Sequence, residues 1–180
     1  MSPKNNGFSI IEVLIVVAIA AILTAIAIPA FNVFIGNTRT STVANEFVSA
    51  LNLARSEAMK RGVDVYVCRS SNGTSCATGG DWGQGWLVYF TDEDNNDIPI
   101  RVREGLKEPE SFGGFGYFDE DNAIIAFRPD GRLVKEVADE IGYEEGDDAG
   151  HGFNVTSKGR SRCIRVNSAG RIRTESGACD

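Results

Sequence analysis

Residues 158–180, KGRSRCIRVNSAGRIRTESGACD, carry Lys158, Arg160, Arg162, Arg165, Arg171 and Arg173 against Glu175 and Asp180, a local balance of +4. Arg171 and Arg173 stand at alternate positions, so on a strand or turn they would point the same way and reach adjacent phosphates. Arg160, Arg162 and Arg165, with Lys158, could widen that patch. The whole chain is at −7, which leaves −11 on the other residues once the +4 is taken out. An acidic body repels a polyanion, so contact with DNA would have to be weak, sequence-independent and strongly salt-sensitive. Arginines paired with the acidic body, or with a neighbouring subunit, fit the same pattern.

The other chemistry-bearing groups are fewer. Cys68 and Cys76 form one local pair of cysteines, and Cys163 and Cys179 a second. Neither spacing is that of a zinc site, and the lone His151 leaves no set of nitrogen ligands, so no metal and no cofactor is expected. In an exported protein such pairs read as disulfides. Three connectivities are open, and proximity alone favours 68 with 76 and 163 with 179. Asp92, Asp94 and Asn96 have the alternation of a calcium loop, but Asp97 replaces its glycine and Arg103 its closing glutamate. A polar hairpin turn is the better reading, with a weak single-calcium site as the alternative. A triad built on His151 lacks a nucleophile elbow, and Gly113, Gly114 and Gly116 precede no phosphate-binding helix; they read as a mobile surface loop. The chain is not expected to be an enzyme.

The elements that would hold these groups divide the chain sharply. Residues 10–35 are apolar apart from Glu12, Asn32 and Thr24, and at 1.5 Å per residue they rise about 39 Å, more than the roughly 30 Å of a hydrocarbon core. Lys4 and the initiator amine keep the polar leader on the cytoplasmic side, so everything after residue 35 is exported. Beyond Gly36, apolar residues recur at Val43, Phe47, Leu51, Ala54 and Ala58, a helical stripe that stops at Gly62. Joined to the first segment it would form one rod, which Pro29 and Gly36 could bend or melt. After Gly62 come short strand-like runs, VDVYVC, GWLVYF, IPIRVR, AIIAFR, RLVKEV, GFNVT, RCIRVN and GRIRT, separated by turns rich in Gly, Asn and Asp. The expected fold is α+β: a long N-terminal helix packed on a small antiparallel β-sheet domain. Its parts are a leader over 1–7, a transmembrane half-helix over 8–35, an amphipathic half-helix over 36–62 and a β domain over 63–180.

Glu12 is the anomaly, because an acid in mid-bilayer costs about 2.5–3.5 kcal/mol. A leader ending in Gly7, followed by Phe8, Ser9, Glu12 and an unbroken apolar helix, resembles the class III signal of type IV pilins and type II secretion pseudopilins. The resemblance implies cleavage by a prepilin peptidase between Gly7 and Phe8 and N-methylation of Phe8. It implies that Glu12 meets the amine of Phe8 on a neighbouring subunit, and that Pro29 bends the helix. The blocks ALNLARSEAMKRGVDVYVC, WGQGWLVYFTDEDNND, AIIAFRPDGRL and RCIRVNSAGRIR resemble the GspH/FimT/FimU group of minor pilins and pseudopilins. Gly170–Arg171–Ile172–Arg173 is similar to the G-R-x-R loop with which FimT-type pilins bind DNA in natural transformation. The implied partners are the prepilin peptidase, major and minor pilins or pseudopilins, the inner membrane and double-stranded DNA. The acidic stretches 104–122 and 138–150 fall outside the resemblance.

Overall fold

The computed structural model describes residues 9–106, 111–119, 124–134 and 152–179. Gly7, Phe8 and His151 lie outside the described residues.

One helix dominates. α1 runs from Ile10 to Arg61 as 52 residues, about 78 Å of rod. It continues unbroken through Pro29 and Gly36, so neither melts it, although proline removes the amide that would have bonded the Ala25 carbonyl. It ends where Gly62, at φ 73°, adopts the left-handed conformation and its N–H donates to the Ala58 carbonyl (2.9 Å). The two halves differ in what covers them. From Ile10 to Phe34 the large apolar side chains are exposed, whereas Gly36, Thr40, Val43, Ala44, Phe47, Ala50, Leu51, Ala54 and Ala58 are buried. The helical stripe read from spacing is therefore the buried face, widened by the small residues Ala44 and Ala50.

Two four-stranded antiparallel sheets receive that face. The first has the order β3-β2-β1-β5, built from β1 (Val65–Arg69), β2 (Gly85–Thr91), β3 (Asp97–Glu104) and β5 (Ile124–Phe127). The second has the order β4-β6-β7-β8, from β4 (Ser111–Phe115), β6 (Gly152–Ser157), β7 (Arg160–Val166) and β8 (Ile172–Ser176). In the first sheet, Val65 and Val67 lie opposite Phe90, Val88, Phe127 and Ile125 on the helix side. Its outer side carries a smaller cluster of Cys68, Leu87 and Tyr89, with Tyr66 stacked on Tyr89 at 5.2 Å. Strands covered on both faces lose the apolar–polar alternation, which is why β1 and β2 are buried almost throughout. β3 is an edge strand, where Pro99 is tolerated, and Ile100 is an extra residue bulged between the pairs Val88–Arg101 and Tyr89–Pro99.

Phe47 sits at the centre of the core. Its ring meets Trp82, Trp86, Phe112 and Phe153 edge-on, with centroids 4.8–5.4 Å apart. The Trp82 indole N–H, fully buried, donates to the Phe118 carbonyl at 3.0 Å.

One expectation about the β region is corrected and another is met only in part by the described residues. SFGGF is strand β4, not a mobile loop: Phe112 fills the core, and Gly114 makes room for the chain to turn back, since a Cβ there would stand 1.9 Å from the Phe118 carbonyl. Of the run RLVKEV, the described residues form only a bridge between Leu133 and Phe127; residues 135–137 lie outside the described residues.

Both disulfides join sequence neighbours, Cys68 to Cys76 and Cys163 to Cys179. The second staples the chain beyond β8 back onto β7 and β6, where the Cys179 N–H also donates to Asn154 Oδ1 at 2.7 Å.

Candidate functional site

The groups singled out in the sequence fall in four places among the described residues, the last of them the β2–β3 turn. The first is the start of α1. Glu12 lies in the first helical turn, exposed, with its N–H donating to the Ser9 carbonyl (3.0 Å). A carboxylate there is favoured by the amide dipoles of the helix start. It borders a shallow apolar dimple made by Val13, Val16 and Val17. An acid beside unfilled apolar surface is suited to contact with a second helix.

The second place is the turn between β7 and β8. Asn167 shapes it: its Oδ1 accepts from the Arg171 N–H (2.9 Å), and its carbonyl accepts from the Gly170 N–H (2.8 Å). Gly170 has φ 73°, and a Cβ there would lie 2.3 Å from the Gly131 carbonyl, so only glycine closes this junction. Arg55 of α1 reaches the same junction, donating from Nη1 to the Gly170 carbonyl at 3.0 Å. The glycine of the G-R-x-R motif is thus a structural joint between helix, 131 loop and β8. Arg55 was not legible as its anchor; the glycine-bearing turns PDG and NSAG were the available signal.

From this joint Arg171, just before β8, and Arg173, on β8 at the outer side of the second sheet, are both exposed. Arg173 pairs in register with Arg165, whose guanidinium lies over the Phe115 ring at 5.7 Å. Residues two apart on a strand are about 6.7 Å apart.

The third place is the β6–β7 turn, and it separates what the sequence grouped. Lys158 Nζ donates to Asn32 Oδ1 at 3.2 Å, and Arg160 lies against Gly36. Arg171 sits by Arg55, about 28 Å farther along the helix than Gly36. The six basic residues are therefore not one patch. Arg165, Arg171 and Arg173 share one end of the second sheet; Lys158 and Arg160 occupy the other; Arg162 is half-buried on the helix-facing side of β7. Gly36, read as a hinge, instead permits close packing.

The Asp92–Asn96 segment is a hairpin turn between β2 and β3. Asp92 Oδ1 accepts from the N–H groups of Asn96 (2.8 Å) and Asp94 (3.0 Å). The Asn96 backbone N–H is the main reason that the Asp92 carboxyl titrates below the usual range. Asp92 is engaged by its own loop.

A long helix, half bare and half buried under paired antiparallel sheets, narrows the comparison with known proteins. The family model described as type II transport protein GspH matches residues 43–170, and that of the prokaryotic N-terminal methylation motif matches residues 2–28. The chain belongs to the GspH family. Among curated relatives, a fimbrial protein of Pseudomonas aeruginosa is 42% identical over 61 residues, which is 34% of this chain and 39% of the relative. The type IV major fimbrial protein FimA of Dichelobacter nodosus is 35% identical over 105 residues, 58% of this chain and 56% of the relative. The matches thus span about two fifths to little more than half the length of these relatives. Among solved structures, the type IV minor pilin FimU of Pseudomonas aeruginosa aligns with a TM-score of 0.55 at 18% identity, covering 80% of this chain and 97% of that one. The minor pseudopilin EpsH from the type 2 secretion system of Vibrio cholerae aligns at 0.51 and 12% identity, covering 76% of this chain and 96% of that one. Both share the fold of this GspH-family chain.

Proposed function

We propose that this GspH-family chain is a minor pilin of a type IV pilus, processed by a prepilin peptidase, that joins other pilins in starting or capping the filament. One observation carries the reading: a single helix whose first half presents bare apolar surface while its second half is sealed into a β domain. The bare half is costly in water and suits first a bilayer and then a helical bundle. In this reading residues 1–7 are the leader, cleaved between Gly7 and Phe8, and Phe8 is N-methylated. Residues 8–35 cross the inner membrane, Pro29 lets the rod flex, residues 36–62 form the amphipathic half-helix, and the β domain, residues 63–180, faces the periplasm.

The alternative, a secretion pseudopilin, uses the same parts, and EpsH shares the fold. Deletion of the gene distinguishes them. Loss of surface pili with unchanged yields of secreted proteins is the expected result; normal pili with failed secretion would assign the chain to the secretion machinery.

A second reading, capture of double-stranded DNA, is favoured by one observation, the exposure of both Arg171 and Arg173 at the outer strand of the second sheet among the described residues. The full chain in detergent should bind duplex DNA weakly, and neutralising about two phosphate contacts should give a log–log salt slope near −2. Arg171→Ala with Arg173→Ala should abolish this binding, while Lys158→Ala with Arg160→Ala leaves it unchanged. Absence of binding at low salt would reduce the basic edge to a subunit contact.

A further inference from the structure

Between Glu12 and Asn32 the helix carries no ionisable side chain, and Thr24 is turned back onto the Ala20 carbonyl. Residues 13–31 rise about 28 Å, close to the roughly 30 Å of a hydrocarbon core. With Glu12 at one interface, Asn32 falls at the headgroup level of the other. The β6–β7 turn is folded onto this same point. Lys158 Nζ bonds to Asn32 Oδ1 (3.2 Å), and a Cβ on Gly36 would stand 3.0 Å from the Ser157 carbonyl and 3.2 Å from Arg160 Cγ. The absence of a side chain at residue 36 is what seats the turn against the rod.

The turn itself is a two-residue connection with Lys158 at φ 48° and Gly159 at φ 72°. Asn, Asp and Gly are the residues that tolerate this left-handed pair, so a lysine here is held against backbone preference. Lys158 and Arg160 are both exposed, and among the described residues neither is in an ion pair.

We propose that Lys158 and Arg160 bind the phosphate of an anionic phospholipid in the periplasmic leaflet and dock the β domain onto the membrane before assembly. This rests on the reading of residues 8–35 as the membrane-spanning half-helix, with 13–31 in the hydrocarbon core. The cations lie on the side of the β domain nearest the apolar run, where phosphates of the bilayer are the anions within reach, whereas duplex DNA would have to enter between domain and membrane. Docking fixes the azimuth at which the subunit meets a growing filament, and the clamp opens when the apolar half-helix leaves the lipid.

The full chain, extracted in mild detergent with equal phosphatidylglycerol and phosphatidylcholine, is examined by native mass spectrometry for lipid retained. Wild type should retain phosphatidylglycerol selectively. Lys158→Gln with Arg160→Gln should lower that retention about tenfold or more, the loss expected from two surface cations, while Arg171→Gln with Arg173→Gln matches wild type. Equal retention in all three, no preference between the lipids, or loss of DNA binding in the Lys158/Arg160 variant with lipid retention intact would each overturn the clamp. Alkaline carbonate extraction separates the premises: release of wild type from membranes removes the spanning reading and the clamp together, whereas firm anchoring without lipid preference removes the clamp alone.

Discussion

Replacing Phe47 by alanine is expected to destabilise the β domain by about 3–5 kcal/mol, the range for emptying a buried aromatic site. Phe47 is the helix side chain around which Trp82, Trp86, Phe112 and Phe153 arrange their edges, and it is fully buried. Trp82 is pinned by its bond to the Phe118 carbonyl, and Phe112 and Phe153 belong to adjacent paired strands, so the surrounding rings cannot collapse inward to fill the void. Each edge-to-face contact adds about 0.5–1.5 kcal/mol beyond the area buried. The consequence reaches past stability, because Phe47 couples the rod to both sheets. Thermal unfolding followed by near-ultraviolet circular dichroism of the full chain in detergent should show a midpoint lowered by about 10 °C or more. Asn52→Ala, on the exposed side of the same helix, should stay within about 0.5 kcal/mol of wild type. Similar midpoints for the two variants would contradict Phe47 as the centre of the core.

The helix was legible because its two halves obey different rules that one sequence displays openly: an apolar run too long for a core, then a stripe at steps of three and four. The strands were legible where β-branched and aromatic residues lie between glycine and asparagine turns. SFGGF was not, because two glycines ordinarily weaken a strand, and only the return of the chain at Phe118, against Gly114, explains their presence. The basic residues misled for a geometric reason. β7 is seven residues long, about 23 Å, so the turns at its two ends carry Lys158 and Arg171 apart although thirteen positions separate them in sequence. Proximity in sequence served the cysteines better, since Cys179 follows the edge strand that pairs with the strand bearing Cys163. Asn32, apparently a minor polar interruption of the apolar helix, is the residue that receives Lys158.

The largest functional effect is expected at Glu12. Its carboxylate starts an exposed apolar helix, next to valines that leave a shallow dimple. Carried into a bundle of such helices it would be buried at a cost of several kcal/mol unless a cation meets it, and the freed amine of Phe8 on the neighbouring subunit is the cation that the processing reading supplies. Alanine at this position removes the acid and leaves that amine buried without its partner, a loss of about 3–5 kcal/mol per contact. Membrane insertion should be unaffected, since the substitution makes the segment more apolar. The decisive measurement is therefore the amount of this chain in filaments sheared from cells that express wild type or Glu12→Ala at equal membrane levels. The account predicts a fall of at least tenfold for the variant with normal membrane retention. Incorporation at the wild-type level would contradict the claim that this helix is an assembly element steered by the acid at its start.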